Sequence, residues 1–129
     1  MFKNTKAFSS FSVNDFQKAK EFYSKILGLE VNEVKEMQGL LNVKISGSND
    51  LMIYSKPNHE PATFTVLNFP VEDIEKTVDN LSKKGVKFER YDDPQIKTNE
   101  KGIAGGDEFP RIAWFKDPAG NILSVIEEQ

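Results

Sequence analysis

The stretch Phe11–Gly28, FSVNDFQKAKEFYSKILG, decides the fold. It opens as the end of a strand. Asn14 or Asp15 then offers a short side-chain oxygen to an orphan amide hydrogen of a first helical turn. Phe16, Ala19, Tyr23, Ile26 and Leu27 recur at helical spacing, and Phe22 widens the stripe. Lys25 suits the negative end of the helix dipole, and Gly28 supplies the left-handed residue that ends the helix. A second copy, FPVEDIEKTVDNLSKKG, runs from Phe69 to Gly85. At an offset of 58, six of fifteen positions are identical: Phe11/Phe69, Val13/Val71, Asp15/Asp73, Lys18/Lys76, Ser24/Ser82 and Lys25/Lys83. Such self-similarity marks a duplicated supersecondary unit.

Working outward, residues 6–13 form the first strand candidate, with Phe8, Ser10 and Ser12 on one face and Ala7, Ser9, Phe11 and Val13 on the other. After Gly28 come three β-like runs, 29–34, 39–46 and 50–55, punctuated by Gly39 and by Gly47-Ser48-Asn49-Asp50. The linker KPNHEPA (56–62) holds two prolines and the only His. Residues 63–69 restart the pattern, and Asp73 caps a second helix that buries Ile74, Val78 and Leu81. VKFERY (86–91) reads as a strand, and 111–116 with 121–128 reads as a hairpin across Asp117-Pro118-Ala119-Gly120. Between them, 91–109 has no period and carries Gly102, Gly105 and Gly106, so a mobile lid over 92–108 is expected. The expected fold class is α+β: two tandem βαβββ units, about 5–56 and 62–128, within one domain spanning 1–129.

Composition narrows the function. A length of 129 residues suits one compact domain or two small halves sharing a core. The net charge of −3, without runs of like charge, argues against nucleic acid and against an anionic membrane surface. No apolar run reaches the roughly 20 residues of a membrane span, and MFKNTKAFSSF lacks the apolar core of a signal peptide. With no Cys, disulfides, thiolate zinc sites and a Cys nucleophile are all excluded, and a cytoplasmic location is expected. The ten Phe read mainly as core side chains.

Two strand–helix–three-strand units in this length resemble the vicinal oxygen chelate superfamily of glyoxalases, bleomycin-resistance proteins, fosfomycin-resistance enzymes and extradiol dioxygenases. The likeness rests on Val13, Asp15, Ala19, Phe22, Tyr23, Leu27 and Gly28, and on Phe115, Asp117, Pro118, Gly120 and Asn121 at the closing turn. These are fold signatures, and they do not specify a reaction. The resemblance implies curled mixed sheets around a ligand cavity. In metal-dependent members it also implies a His or Gln on the first strand, a Glu on the fourth, a His on the fifth and a Glu on the eighth. A divalent ion held there acts as a Lewis acid. Counted from the motifs, the first, third and fourth positions fall on Phe8, Val66 and Ser124, and the second near Ile53 or Tyr54. Phenyl and isopropyl groups donate no lone pair and Ser is a poor ligand, so no metal and no cofactor are expected.

The same faces supply a candidate binding site. Phe8, Ser10, Ser12, Tyr54, Val66, Asn68 and Ser124 would make a pocket of apolar wall and neutral hydrogen-bonding groups. Arg111 and Trp114, three apart on one strand, face opposite sides, so one of them reaches the pocket: Trp114 as a stacking wall or Arg111 as an anion clamp. His59 reads as a solvated linker residue, although a swapped dimer would carry it towards a partner's pocket. As the only imidazole it leaves no Ser–His pair expected. Glu36, Glu127 and Glu128 read as solvated faces. No catalytic residue is assigned. Two functions follow: metal-free sequestration of a small molecule by a homodimer, or a metal-dependent lyase or dioxygenase with a site of another kind.

Overall fold

The structure is a computed structural model and describes residues 1–106 and 109–128. The chain divides into two compact units, Met1–Pro61 and Ala62–Gln129. In the first, β1 (Ser10–Val13) leads into α1 (Phe16–Glu21), followed by β2 (Val31–Glu33), β3 (Leu40–Val43) and β4 (Leu51–Ser55). In the second, β5 (Thr65–Val71) leads into α2 (Ile74–Lys83), followed by β6 (Ile103–Ala104), β7 (Ile112–Lys116) and β8 (Ile122–Glu127). Each unit folds into one mixed sheet, ordered β1-β4-β3-β2 and β5-β8-β7-β6, and neither sheet closes on itself. The first strand pairs parallel with the last, and the other pairings are antiparallel. The fold is α+β, as the duplication implies.

The caps form where the side chains dictate. Asp15 accepts a hydrogen bond from the Lys18 amide at 3.0 Å, and Asp73 accepts from the Lys76 amide at 3.1 Å. Gly28 and Gly85 end the helical segments at φ +73° and +96°, torsions that side chains with a Cβ rarely adopt. The first helix changes character midway. Residues Phe22–Ile26 form a π-helical turn, in which the Leu27 amide reaches back to the Phe22 carbonyl at 3.0 Å. Tyr23 stays fully buried there, with its ring 6.1 Å from that of Phe11.

In each unit one sheet face is the core. Val13, Leu41, Val43, Leu51 and Ile53 are buried on the α1 side, and Ala113, Phe115, Leu123 and Val125 are buried where α2 lies against β7 and β8. In-register partners share a face and alternate residues face away. The far face of the first sheet therefore carries Ser10, Ser12, Leu40, Asn42, Met52 and Tyr54. That of the second carries Asn68, Ser124 and Trp114. The Phe residues depart from a core reading: Phe115 is fully buried, whereas Phe2, Phe8, Phe64 and Phe109 are exposed.

Three expectations need correction. The first strand begins at Ser10, so Phe8 lies outside it. Residues 86–91 form no strand: Phe88 bridges to Phe115, and the Glu89 amide bonds to the Trp114 carbonyl at 2.8 Å. The chain then leaves and returns, so that Ile103 and Ala104 pair with Ala113 and Ile112 along the same edge of β7. The supposed lid is this excursion, and it is well tied. Asn99 Oδ1 accepts from the amides of Lys101 and Ile103, and Asp93 Oδ1 accepts from those of Gln95 and Ile96. Gly102, Ile103 and Ala104 are buried, and a Cβ on Gly102 would sit 2.9 Å from that of Phe88. Asp107 and Glu108, the end of the supposed lid, lie outside the described residues.

Candidate functional site

In the first unit the site grows from β1 and β4. Ser10 is the partner of Met52, and Ser12 is the partner of Tyr54, so all four share the far face. β3 adds Asn42 beside Met52 and Leu40 beside Tyr54. Beyond the end of β1, Phe8 is 63% exposed and joins Met52, Asn42, Asp50 and Lys6 in lining a depression of about 420 Å³. Its polar wall is braced: Asn42 donates to Asp50 at 2.8 Å, and Asn49 donates to the Ala7 carbonyl at 2.7 Å. Phe8 thus reaches a binding-sized depression as part of the segment before the strand.

The other end of that face holds an unforeseen pair. His59 is half-buried, and its Nδ1 lies 2.6 Å from Ser12 Oγ. The turn that places it is local. The Lys56 amide continues the ladder to the Val13 carbonyl at 2.9 Å, and the His59 amide bonds to the Lys56 carbonyl at 3.1 Å. The solvated-linker reading of His59, and the expectation that no Ser–His pair forms, are both corrected. Sequence spacing hides a contact 47 residues apart, and the one available hint is that this is the only His in the chain.

In the second unit Asn68, Ser124 and Trp114 stand abreast on β5, β8 and β7. Ser124 is fully buried, and its hydroxyl donates to Asn68 Oδ1 at 2.5 Å. The Trp114 indole meets Tyr91 edge to face, with centroids 5.5 Å apart. Val66 sits at the irregularity where the β5–β8 register shifts between Thr65 and Leu67. The alternative between Arg111 and Trp114 resolves on this geometry: Trp114 shares the face of Asn68 and Ser124.

Arg111 leaves the candidate set. Its guanidinium donates to both carboxylate oxygens of Glu127, at 3.2 and 3.1 Å, and to Glu75 of α2 at 3.2 Å. It is a clamp, but for the protein's own helix. Glu127 also accepts from the Ile74 amide at 3.1 Å, capping α2 from β8, so its reading as a solvated face is corrected. The Arg111 bonds, and after them the Ile74 amide, hold the Glu127 carboxyl below its ordinary range. Glu127 and Glu75 in turn raise Arg111.

The register also corrects the second ligand position, expected at Ile53 or Tyr54, to Met52. Ser10 pairs with Met52 as Asn68 pairs with Ser124, so Met52 occupies in the first unit the place of Ser124 in the second. Ile53 is fully buried on the opposite face. The set implied for a metal-dependent relative is therefore Phe8, Met52, Val66 and Ser124. Two of these have no donor atom, one is a soft thioether, and the hydroxyl of the last is engaged by Asn68. This set does not fit a divalent Lewis-acid metal. Among the described residues, no three His, Asp or Glu side chains gather as ligands elsewhere.

A duplicated strand–helix–three-strand chain with a mixed sheet in each unit, its far face set with apolar and neutral polar groups, defines a glyoxalase-like protein. The chain belongs to the Glyoxalase/Bleomycin resistance protein/Dioxygenase superfamily, whose family model matches residues 8–125. It is 30% identical over 129 positions to the uncharacterized protein YraH of Bacillus subtilis (strain 168), covering 89% of this chain and 91% of that one. Its fold is similar to that of TnmS3, an antibiotic binding protein from Streptomyces sp. CB03234, with a TM-score of 0.72 at 22% identity over 100% and 99% of the two chains. A superfamily member from Sphaerobacter thermophilus DSM 20745 is similar with a TM-score of 0.70 at 21% identity, over 99% and 100%. Among the described residues, no helix is long and apolar enough to cross a membrane.

Proposed function

We propose that this protein binds a small molecule at the far face of a sheet without a catalytic metal. The observation that carries this reading is the occupancy of the ligand positions by Phe8, Met52, Val66 and Ser124. In the first unit Phe8, Met52 and Tyr54 offer apolar contact, with Ser10 and Ser12 for orientation; in the second, Val66 and Trp114 offer apolar contact beside Asn68, which accepts from the buried Ser124. The fold likeness to an antibiotic binding protein supports sequestration over turnover. Two measurements test it. Elemental analysis of protein purified without chelator should find no stoichiometric Ni, Zn, Mn or Fe, and a thermal-shift screen should find compounds that raise Tm, since a ligand of the native state must stabilise it. One equivalent of metal, lost on mutating a far-face residue, would favour a lyase or dioxygenase instead.

We further propose that the protein acts as a symmetric homodimer. Each sheet ends in edge strands, β1 and β2 in one unit and β5 and β6 in the other, and units of this size have limited core of their own. Light scattering should give twice the 14.6 kDa chain mass. A monomer persisting at high micromolar concentration would refute the dimer.

A further inference from the structure

We propose that the depression beside Phe8 takes a small zwitterion with an aromatic side chain, its ammonium on Asp50 and its carboxylate on Lys6. This rests on the metal-free binding reading and names the ligand class for the first unit. The depression has a volume of about 420 Å³, within the range of small-molecule sites, roughly 300–1,000 Å³. Its walls hold one cation and one anion, Lys6 and Asp50. Among the described residues neither makes an ion pair, although both border the same space. A ligand with a single charge would satisfy one of them and bring a like charge beside the other. A zwitterion answers both.

The two charges differ in how they are held. Asp50 is half-buried, and Asn42 on β3 donates to its Oδ2 at 2.8 Å, which orients the carboxylate. Among the described residues its Oδ1 accepts no hydrogen bond, and an ammonium supplies that donor as a charge-assisted bond. Lys6 is exposed and flexible, so its pairing with the carboxylate end contributes less. The chain on both sides of Phe8 is tied down: Asn49 donates to the Ala7 carbonyl at 2.7 Å, and the Met52 amide donates to the Ser9 carbonyl at 3.1 Å. Phe8 thus offers an exposed ring from a fixed backbone, and a second ring stacks on it at little further cost in ordering. The half-buried Met52 adds a thioether, which favours an aromatic neighbour.

The duplication isolates this feature. At the offset of 58, Lys6 answers to Phe64, and by register Asn42 answers to Trp114 and Asp50 to Ile122. A charged, hydrogen-bonded set in one unit is thus an aromatic and aliphatic set in the other. Packing of the shared fold therefore does not require the charged version.

The test titrates the intact protein, carbon-13-labelled in its methionine methyl groups, with three probes. These are phenylalanine, phenethylamine, which lacks the carboxylate, and 3-phenylpropanoate, which lacks the ammonium. Of Met1, Met37 and Met52, only Met52 lines the depression. Phenylalanine should shift the Met52 signal saturably while Met37 stays still. Each single-charge probe should bind about tenfold more weakly, the scale of a hydrogen bond to a charged group. Asp50→Asn should weaken phenylalanine about tenfold and leave 3-phenylpropanoate no weaker. Lys6→Gln should weaken phenylalanine about threefold and leave phenethylamine no weaker. Phe8→Ala should weaken all three. Equal binding of the three probes, undiminished phenylalanine binding in Asp50→Asn, or an unmoved Met52 at millimolar phenylalanine would overturn the proposal. If Met52 stays unmoved while a screening compound raises Tm, only this site is removed and small-molecule binding stands. If no compound raises Tm, phenylalanine included, both fall.

Discussion

The two units are built alike where local chemistry governs and differ where a surface is left over. Asp15 and Asp73 cap their helices through the same i+3 amide, and Gly28 and Gly85 stop them with the same positive torsion. Val13 and Val71 hold equivalent backbone bonds, to Lys56 and Glu128. Away from the helices the likeness ends: Ser10 answers to Asn68, Ser12 to Pro70, Met52 to Ser124 and Asn42 to Trp114. Duplication thus supplied two copies of a scaffold, and the far faces now carry different chemistry on it. A further structural difference is the edge next to β3 and β7. In the first unit β2 covers it as one strand, whereas in the second Phe88 and Ile103–Ala104 share it around the 90–102 excursion.

The largest effect that would sharpen this comparison concerns the caps. Among the described residues Asp15 is the one side chain capping the first amides of α1, whereas α2 has Asp73 and the Glu127 carboxylate at its own. Asp15→Ala should therefore cost about 1–2 kcal/mol, and Asp73→Ala only about 0.5–1 kcal/mol because Glu127 still offsets the orphan amides and the dipole. Urea denaturation of the two variants measures both. Equal losses would mean that Glu127 gives α2 no support beyond its own cap, and the asymmetry drawn between the units would fail.

What was legible in the sequence follows the same division. A cap, a glycine stop and the Asp117–Asn121 turn are written in neighbouring residues: Asp117 accepts from the amides of Ala119 and Asn121, five residues that carry their own geometry. The repeat then gave the architecture, because two copies of a local signal fix two copies of a unit. Register was not legible, since it depends on partners tens of residues away. VKFERY alternates as a strand should, yet most of its edge of β7 belongs to Ile103 and Ala104, which are held there by Asn99. The site divides likewise. Asn68 followed from strand parity with Val66 and Ser124 from its distance to the closing turn, but parity left Trp114 and Arg111 open, and Arg111 is drawn away by carboxylates on α2 and β8 that parity does not reveal. The Ser12–His59 contact needed the linker to turn back on β1, and no spacing rule encodes that.

The smallest expected effect is the acid limb of stability, and it belongs to the second unit. Glu127 has its carboxyl held below the ordinary range, first by Arg111 and then by the Ile74 amide. A group whose folded pKa is depressed adds stability that is present above the unfolded value, roughly pH 4, and lost as pH falls through the folded one. Wild-type protein and Glu127→Gln should therefore differ most in Tm near neutral pH and converge below that range. Arg111 and Glu127 keep partial solvent contact, at 32% and 24% side-chain exposure, so salt should shrink the difference as well. In an Arg111→Gln background most of the Glu127→Gln effect should vanish, leaving the part due to the Ile74 amide. If the wild-type and Glu127→Gln curves instead run parallel down to acid pH, the carboxylate is not coupled to folding through its charge. The Arg111–Glu127–Glu75 cluster would then be a surface arrangement, and the extra hold on α2 would have to be traced to packing alone.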